Sequence, residues 1–289
     1  MLQGLAWTGV QPDFVVGTSA GAINAAWLAG RDRNADLDEL ERVWLGIRRE
    51  DIFPFSPRGS FSALMGRRNH LVPASGLRSL LEREIGFRRM EDAALPVYVV
   101  TVNLLTGRQV LISRGDSIEA LLATTALPGI YPPVLTEAGP MIDGGVANNT
   151  PVSHAVDLGA DRIYVLPSGY ACALASPPTS PIAVALHALT LSMQQQLIVD
   201  VERFAPYVEL VVVPPLCPLD VSPADFSRSG ELIARARRAT RQWLRNPPRL
   251  TAADHLLGLH EHRVNRGLGV RVTAAPTVPP AQTRRRHGS

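Results

Sequence analysis

The feature that most constrains this chain is an apolar run, Phe14-Val15-Val16, that passes without a break into Gly17-Thr18-Ser19-Ala20-Gly21 and then into an alanine-rich stretch, Ala22 to Ala29, closed by Gly30. A buried strand, a tight turn of small residues and a packed helix with a glycine stop is the order that such a pattern predicts. A chain committed to that unit has to build an α/β fold around it.

The rest of the sequence extends the alternation. Met1 to Thr8 reads as the end of a short helix, and Asp36 to Ile47 and Gly76 to Ile85 as further helices. Val97 to Asn103 and Gln109 to Ser113 read as a hairpin turning at Thr106-Gly107, followed by a helix over Ser117 to Thr125. Val134-Leu135 is a short strand ahead of Gly139-Pro140, and Met141-Ile142 then enters Asp143-Gly144-Gly145. A short helix after Pro151, a strand over Arg162 to Leu166, a long helix over Ile182 to Phe204, a strand over Val208 to Val213 and a helix over Phe226 to Leu244 complete the series. Residues 51 to 73 read as a long loop or cap. With no composition break before residue 250, this predicts one α/β domain over residues 1–250, with helices on both faces of a mostly parallel sheet, and a C-terminal extension over 251–289. Residues 276–289, rich in Pro and Arg without periodicity, are expected to be disordered.

A glycine-x-serine-x-glycine match arises by chance in about one chain in ten of this length, so the strand-to-helix context has to carry the reading. At such a turn the serine backbone is strained, and Gly17 and Gly21 leave room for the turn to close. Ser19 then sits at a helix N-terminus, where the Ala20 N–H can meet developing negative charge.

A serine hydroxyl needs a base. None of His70, His154, His187, His255, His260, His262 and His287 stands in a distinguishing setting, and the last cluster of three before the tail matches no zinc spacing. Asp143 is a carboxylate ending an apolar segment, and Gly144 and Gly145 permit close backbone approach. On the triplet alone, an ordinary Asp-Gly turn is the better reading.

The neighbouring residues reverse that judgement. Ala126-Leu127-Pro128-Gly129, Tyr131-Pro132-Pro133, Asp143-Gly144-Gly145, Asn148-Asn149-Thr150-Pro151 and Leu158-Gly159-Ala160-Asp161 resemble the patatin-like phospholipase family, as does the run from Gly17 to Ala26. The resemblance covers roughly residues 1–245 and includes Asp225-Phe226-Ser227. It implies a three-layer α/β/α fold, hydrolysis of lipid acyl esters through an acyl-enzyme, and a catalytic dyad that falls on Ser19 and Asp143. No histidine, metal or cofactor is then required. Two alternatives stay open: a serine esterase using a histidine and an acid, and a non-catalytic lipid-binding or interaction protein of the same fold.

The chain departs from the family at its start. Met1 to Val10 resembles the helix that follows the family's first strand and glycine-rich oxyanion loop, so both are absent ahead of it. A start assigned too far downstream is the favoured expectation, with true truncation as the alternative.

The apolar stretches, such as Pro181 to Met193, fall short of a membrane span. There is no evident signal peptide, and Cys172 and Cys217 match no metal or redox spacing, which sets a cytoplasmic expectation. Arg235, Arg237, Arg238, Arg241, Arg245 and Arg249 lie close together and Arg284 to Arg286 form a run, which suits peripheral contact with anionic lipid, although a merely solvated helix face is the commoner meaning of such a run. Nucleic acid is not an expected partner, since no aromatic residues are interleaved as such sites use.

Overall fold

A computed structural model describes residues 1–32, 35–54, 65, 68–168, 177–217, 219, 221 and 225–245. Most of the loop anticipated over residues 51 to 73, Cys172, the histidines beyond residue 250, and the whole extension with its expected disordered end lie outside the described residues.

The organising strand is β2 (Val97–Asn103), whose residues are buried save for a half-buried Tyr98. Its run of Val and Thr side chains suits burial on both faces. On one edge it carries β3 (Gln109–Ile112) as an antiparallel hairpin partner, occupying Val99 to Val102. Two other strands therefore share the opposite edge. One is β1 (Val15–Thr18), parallel, from Val97 to Val100. The other is β5 (Gly139–Asp143), antiparallel, from Thr101 to Asn103. The pair meet end to end: Thr18 stands opposite Val100, and Asp143 opposite Thr101. A third hairpin strand, β4 (Val134–Thr136), pairs antiparallel with β5.

The expected α/β class is therefore present as a mixed sheet flanked by helices. Its parallel ladder is β1–β2, and a separate parallel pair joins β6 (Arg162–Val165) to β7 (Glu209–Val212). The antiparallel ladders come from the two hairpins and from β5 returning beside β2.

Helix α1 is Leu2–Ala6 and α2 is Ala20–Ala29. Ala22, Ala26, Trp27 and Ala29 of α2 are buried in the larger core with Val97, Val99 and Leu121. Helix α3 (Leu37–Gly46) is capped by Asp36, whose carboxylate accepts from the Asp38 N–H at 2.9 Å. After a four-residue helix α4 (Arg49–Ile52) come α5 (Ser75–Glu84) and α6 (Ser117–Thr124), the latter buried along most of its length. A short α7 (Gly145–Asn148) leads to α8 (Val152–Asp157). With the long α9 (Pro181–Phe204), α8 covers β6 and β7 in a second core of Val152, Val165, Leu197, Ile198, Val201 and Val212. The last described helix, α10 (Ser229–Arg245), starts three residues after the Phe226 anticipated from sequence, because Asp225 and Ser227 close a turn on each other first. Among the described residues, no helix is long and apolar enough to cross a membrane.

Candidate active site

Ser19 joins β1 to α2 with φ 54° and ψ −130°, and is the one non-glycine residue with positive φ among those described. Such backbone costs about 1–3 kcal/mol and persists only where the surroundings enforce it. The crossing of strand and helix is one enforcement: a Cβ on Gly17 would lie 2.6 Å from Ala22 Cα and 2.7 Å from its nitrogen. Only glycine fits there. Gly21 differs from the expectation, since a Cβ on it would meet nothing within 4 Å. It lines open space at the mouth of the turn rather than relieving a clash.

The strain turns the Ser19 side chain away from capping its own helix, with which it makes no hydrogen bond. Its Oγ instead donates to Asp143 Oδ2 at 2.7 Å, across 124 residues of sequence. The Ala22 and Ile23 N–H groups turn back to the Ser19 carbonyl. That leaves the Ala20 and Gly21 N–H groups, both on exposed residues, with no acceptor among the described residues. These are the unpaired donors of a helix N-terminus.

Asp143 ends β5 and is 3 % exposed. Oδ1 accepts from the Gly145 N–H at 2.8 Å, so both oxygens are engaged. Burial pushes its pKa up to about 6, against the opposing pull of the hydrogen bonds from Ser19 and Gly145. Two glycines make this depth accessible. A Cβ on Gly144 would fall 2.2 Å from the Val100 carbonyl oxygen, and one on Gly145 would press on Met193, Asn149 and Asp143 itself. The segment is no hairpin turn: it carries the chain from strand β5 into α7.

The structure thus brings Ser19, Asp143, Ala20, Gly17, Gly144 and Gly145 into one place. The described histidines lie elsewhere. His154 contacts Gln109 Oε1 at 2.8 Å, His70 contacts Asn69, and neither they nor His187 bonds Ser19 or Asp143. No group of acidic, histidine or cysteine side chains suited to a metal occurs among the described residues.

Sequence reasoning missed Thr124. Its hydroxyl accepts the Ser19 N–H at 3.0 Å and donates to the Val100 carbonyl at 2.5 Å. A threonine at the end of a helix carries no local signal of a partner 105 residues away.

The site is thus a backbone-strained serine at a strand-to-helix turn whose hydroxyl faces a buried carboxylate. The model of the patatin-like phospholipase family matches residues 1–156, and the chain belongs to that family. Among curated proteins it is similar to lysophospholipase NTE1 of Pyricularia oryzae, 26% identical over 162 residues, which is 56% of this chain and 10% of that protein. It is also similar to lysophospholipase nte1 of Aspergillus terreus, 27% identical over 172 residues (58% of this chain, 11% of that one). An NTE family protein of Mycobacterium tuberculosis is 28% identical over 152 residues (52% and 24%). The chain thus spans about a tenth to a quarter of the length of these relatives.

Proposed function

We propose that this protein hydrolyses fatty-acyl esters of phospholipids or related lipids, through a Ser19–Asp143 dyad within a catalytic unit spanning residues 1–250. The observation that carries the reading is the 2.7 Å hydrogen bond from Ser19 Oγ to a carboxylate whose pKa burial has raised to about 6. A carboxylate at its ordinary value near 3.9 is a poor match for a serine hydroxyl. One shifted toward neutrality is a stronger base and still mostly ionised at neutral pH.

In the first half-reaction Asp143 Oδ2 takes the Ser19 proton as Oγ attacks the ester carbonyl. The carbonyl oxygen, now negative, is met by the Ala20 N–H at the start of α2. Collapse expels the alcohol, which takes the proton from Asp143, and leaves an acyl-Ser19 ester. Water then attacks with Asp143 as base, and Ser19 leaves with the proton. The hydrolysis closes with no redox change and no metal step.

Lipid as substrate is supported by the family and by the lysophospholipase names of its relatives. Contact with an anionic membrane surface is part of the same reading. Arg235 and Arg237 are engaged by Glu231 and Glu41. Arg238, Arg241 and Arg245 follow one another at helical spacing on the exposed side of α10, with the Arg245 guanidinium 4.8 Å from the half-exposed Trp7 ring. Arg249 and Arg284 to Arg286 lie outside the described residues.

The test is fatty-acid release from lysophospholipid and from p-nitrophenyl acyl esters, with Ser19→Ala as control. A version extended through the upstream reading frame, assayed beside this chain, asks whether a glycine-rich loop adds oxyanion donors to Ala20. Ser19-dependent turnover supports the reading. Lipid binding without turnover in both versions would favour the non-catalytic alternative.

A further inference from the structure

We infer that Thr124 is a positioning residue for the nucleophile, its hydroxyl inserted into the β1–β2 ladder at the point where Ser19 leaves the sheet. The inference rests on the Ser19–Asp143 reading above and concerns how that pair is held.

The ladder itself locates the insertion. In parallel pairing, alternate residues of one strand face a given neighbour. The Val15 N–H donates to the Pro96 carbonyl, and Val15 and Thr18 stand opposite Val97 and Val100. Val15 and Gly17 therefore face β2, and Ser19 is the next residue to do so. Its regular acceptor would be the Val100 carbonyl. The Thr124 hydroxyl stands between them instead, accepting from the Ser19 N–H at 3.0 Å and donating to the Val100 oxygen at 2.5 Å. Both ladder groups are satisfied, but with an oxygen atom inserted between them. Thr124 is fully buried, so water cannot easily take its place.

The insertion has two effects. It holds the Ser19 backbone off β2, in the positive-φ conformation that aims Oγ at Asp143. It also withdraws the Ser19 N–H from any role toward substrate, which leaves the Ala20 and Gly21 N–H groups as the donors at this turn. The same short segment secures the base, because the Asp143 N–H donates to the Ala126 carbonyl at 3.0 Å. Residues Thr124 to Ala126 thus hold one backbone N–H from each member of the pair.

Thr124→Val keeps the shape and removes the hydroxyl, while Thr124→Ser keeps the hydroxyl. Without the inserted oxygen, Ser19 can fall back toward Val100 and away from Asp143. A displacement on the order of 1 Å lowers turnover by about a hundredfold. The expected result is therefore a hundredfold loss of kcat in Thr124→Val with little change in KM, and near wild-type turnover in Thr124→Ser. Equal turnover in all three proteins would overturn the inference, as would equal losses in both variants.

Amide hydrogen exchange supplies a readout independent of activity and, in the wild-type chain, of the variants' folding. The Ser19 amide should be protected while Ala20 and Gly21 exchange rapidly; Ser19 exchanging as fast as Ala20 would overturn the insertion. Absence of Ser19-dependent turnover in the wild type would defeat the hydrolase reading, while rapid exchange at Ser19 would defeat the insertion whether or not the protein turns over.

Discussion

Thr18 and Asp143 occupy consecutive places along one edge of β2, opposite Val100 and Thr101, although 125 positions separate them in the chain. One strand arrives parallel and the other antiparallel, so their ends point at each other. The residue after Thr18 is Ser19, and its hydroxyl meets the Asp143 carboxylate at 2.7 Å. The spacing of the proposed nucleophile and base is thereby set by the register of a buried central strand rather than by a flexible loop, which is how a site keeps its geometry to a fraction of an ångström.

The first prediction concerns the two side chains as a unit. Ser19→Ala and Asp143→Asn should each remove nearly all ester hydrolysis, and the double variant should be little worse than either. Groups that act in one proton transfer are strongly non-additive. Steady-state assays of the three proteins on one acyl ester check this; independent, multiplying losses would speak against a shared step.

The pH dependence has a defined sign. As the proposed base, Asp143 must be ionised to work, so kcat should rise with pH through a midpoint near the value of about 6 set by its burial. An acid limb centred near the ordinary carboxylate value would contradict the raised pKa of Asp143, and a kcat independent of pH from about 4 to about 8 would show that no carboxylate of this kind acts as the base.

The same shift links the site to stability. The folded value lies above the unfolded one, so Asp143 contributes stability fully below the ordinary value of 3.8, and this is lost as pH rises through about 6. At pH well above that window the buried charge is a liability of up to about 3 kcal/mol. Asp143→Asn should accordingly be inactive but more stable in alkaline buffer, by an amount that shrinks toward acid. Denaturant melts at two pH values measure it, and equal stability of the two proteins throughout would contradict the shifted carboxylate.

The glycines of the two motifs should separate by substitution. Gly17→Ala and Gly144→Ala place a methyl 2.6 Å from Ala22 Cα and 2.2 Å from the Val100 oxygen, against backbone that cannot step aside. Each should destabilise by about 1–3 kcal/mol and disturb the pair. Gly21→Ala meets open space and should fold as the wild type does. Thermal melts of the three proteins distinguish these outcomes.

Cosedimentation with vesicles examines the arginine stripe. Replacing Arg238, Arg241 and Arg245 with Gln should weaken binding to anionic vesicles, leave binding to zwitterionic ones unchanged, and spare hydrolysis of a soluble ester. The wild-type binding should also fall with added salt. Indifference to vesicle charge would mean that the stripe is only a solvated face.

Much of this candidate site was legible in the sequence because its residues lie in short local patterns. The Phe14 to Ala29 run specifies strand, turn and helix by its own composition, and the structure places them at Val15–Thr18 and Ala20–Ala29. The close approach of Gly17 follows from the same turn. What sequence could not supply was the third dimension of β2. Nothing local indicates that β1 and β5 share one edge of it, that β5 runs antiparallel there, or that the Thr124 hydroxyl enters the ladder between Ser19 and Val100. Gly21 shows the converse error: its place in the motif implied crowding, but its surroundings are open.

The most direct test of the Ser19–Asp143 dyad is mass spectrometry of the protein quenched during turnover of a slowly deacylated p-nitrophenyl ester. The expected result is an acyl adduct on the Ser19 peptide in the wild type, absent from Ser19→Ala and scarcely formed in Asp143→Asn. Normal acylation of Ser19 in Asp143→Asn, or an adduct on another residue accompanied by full turnover, would contradict it.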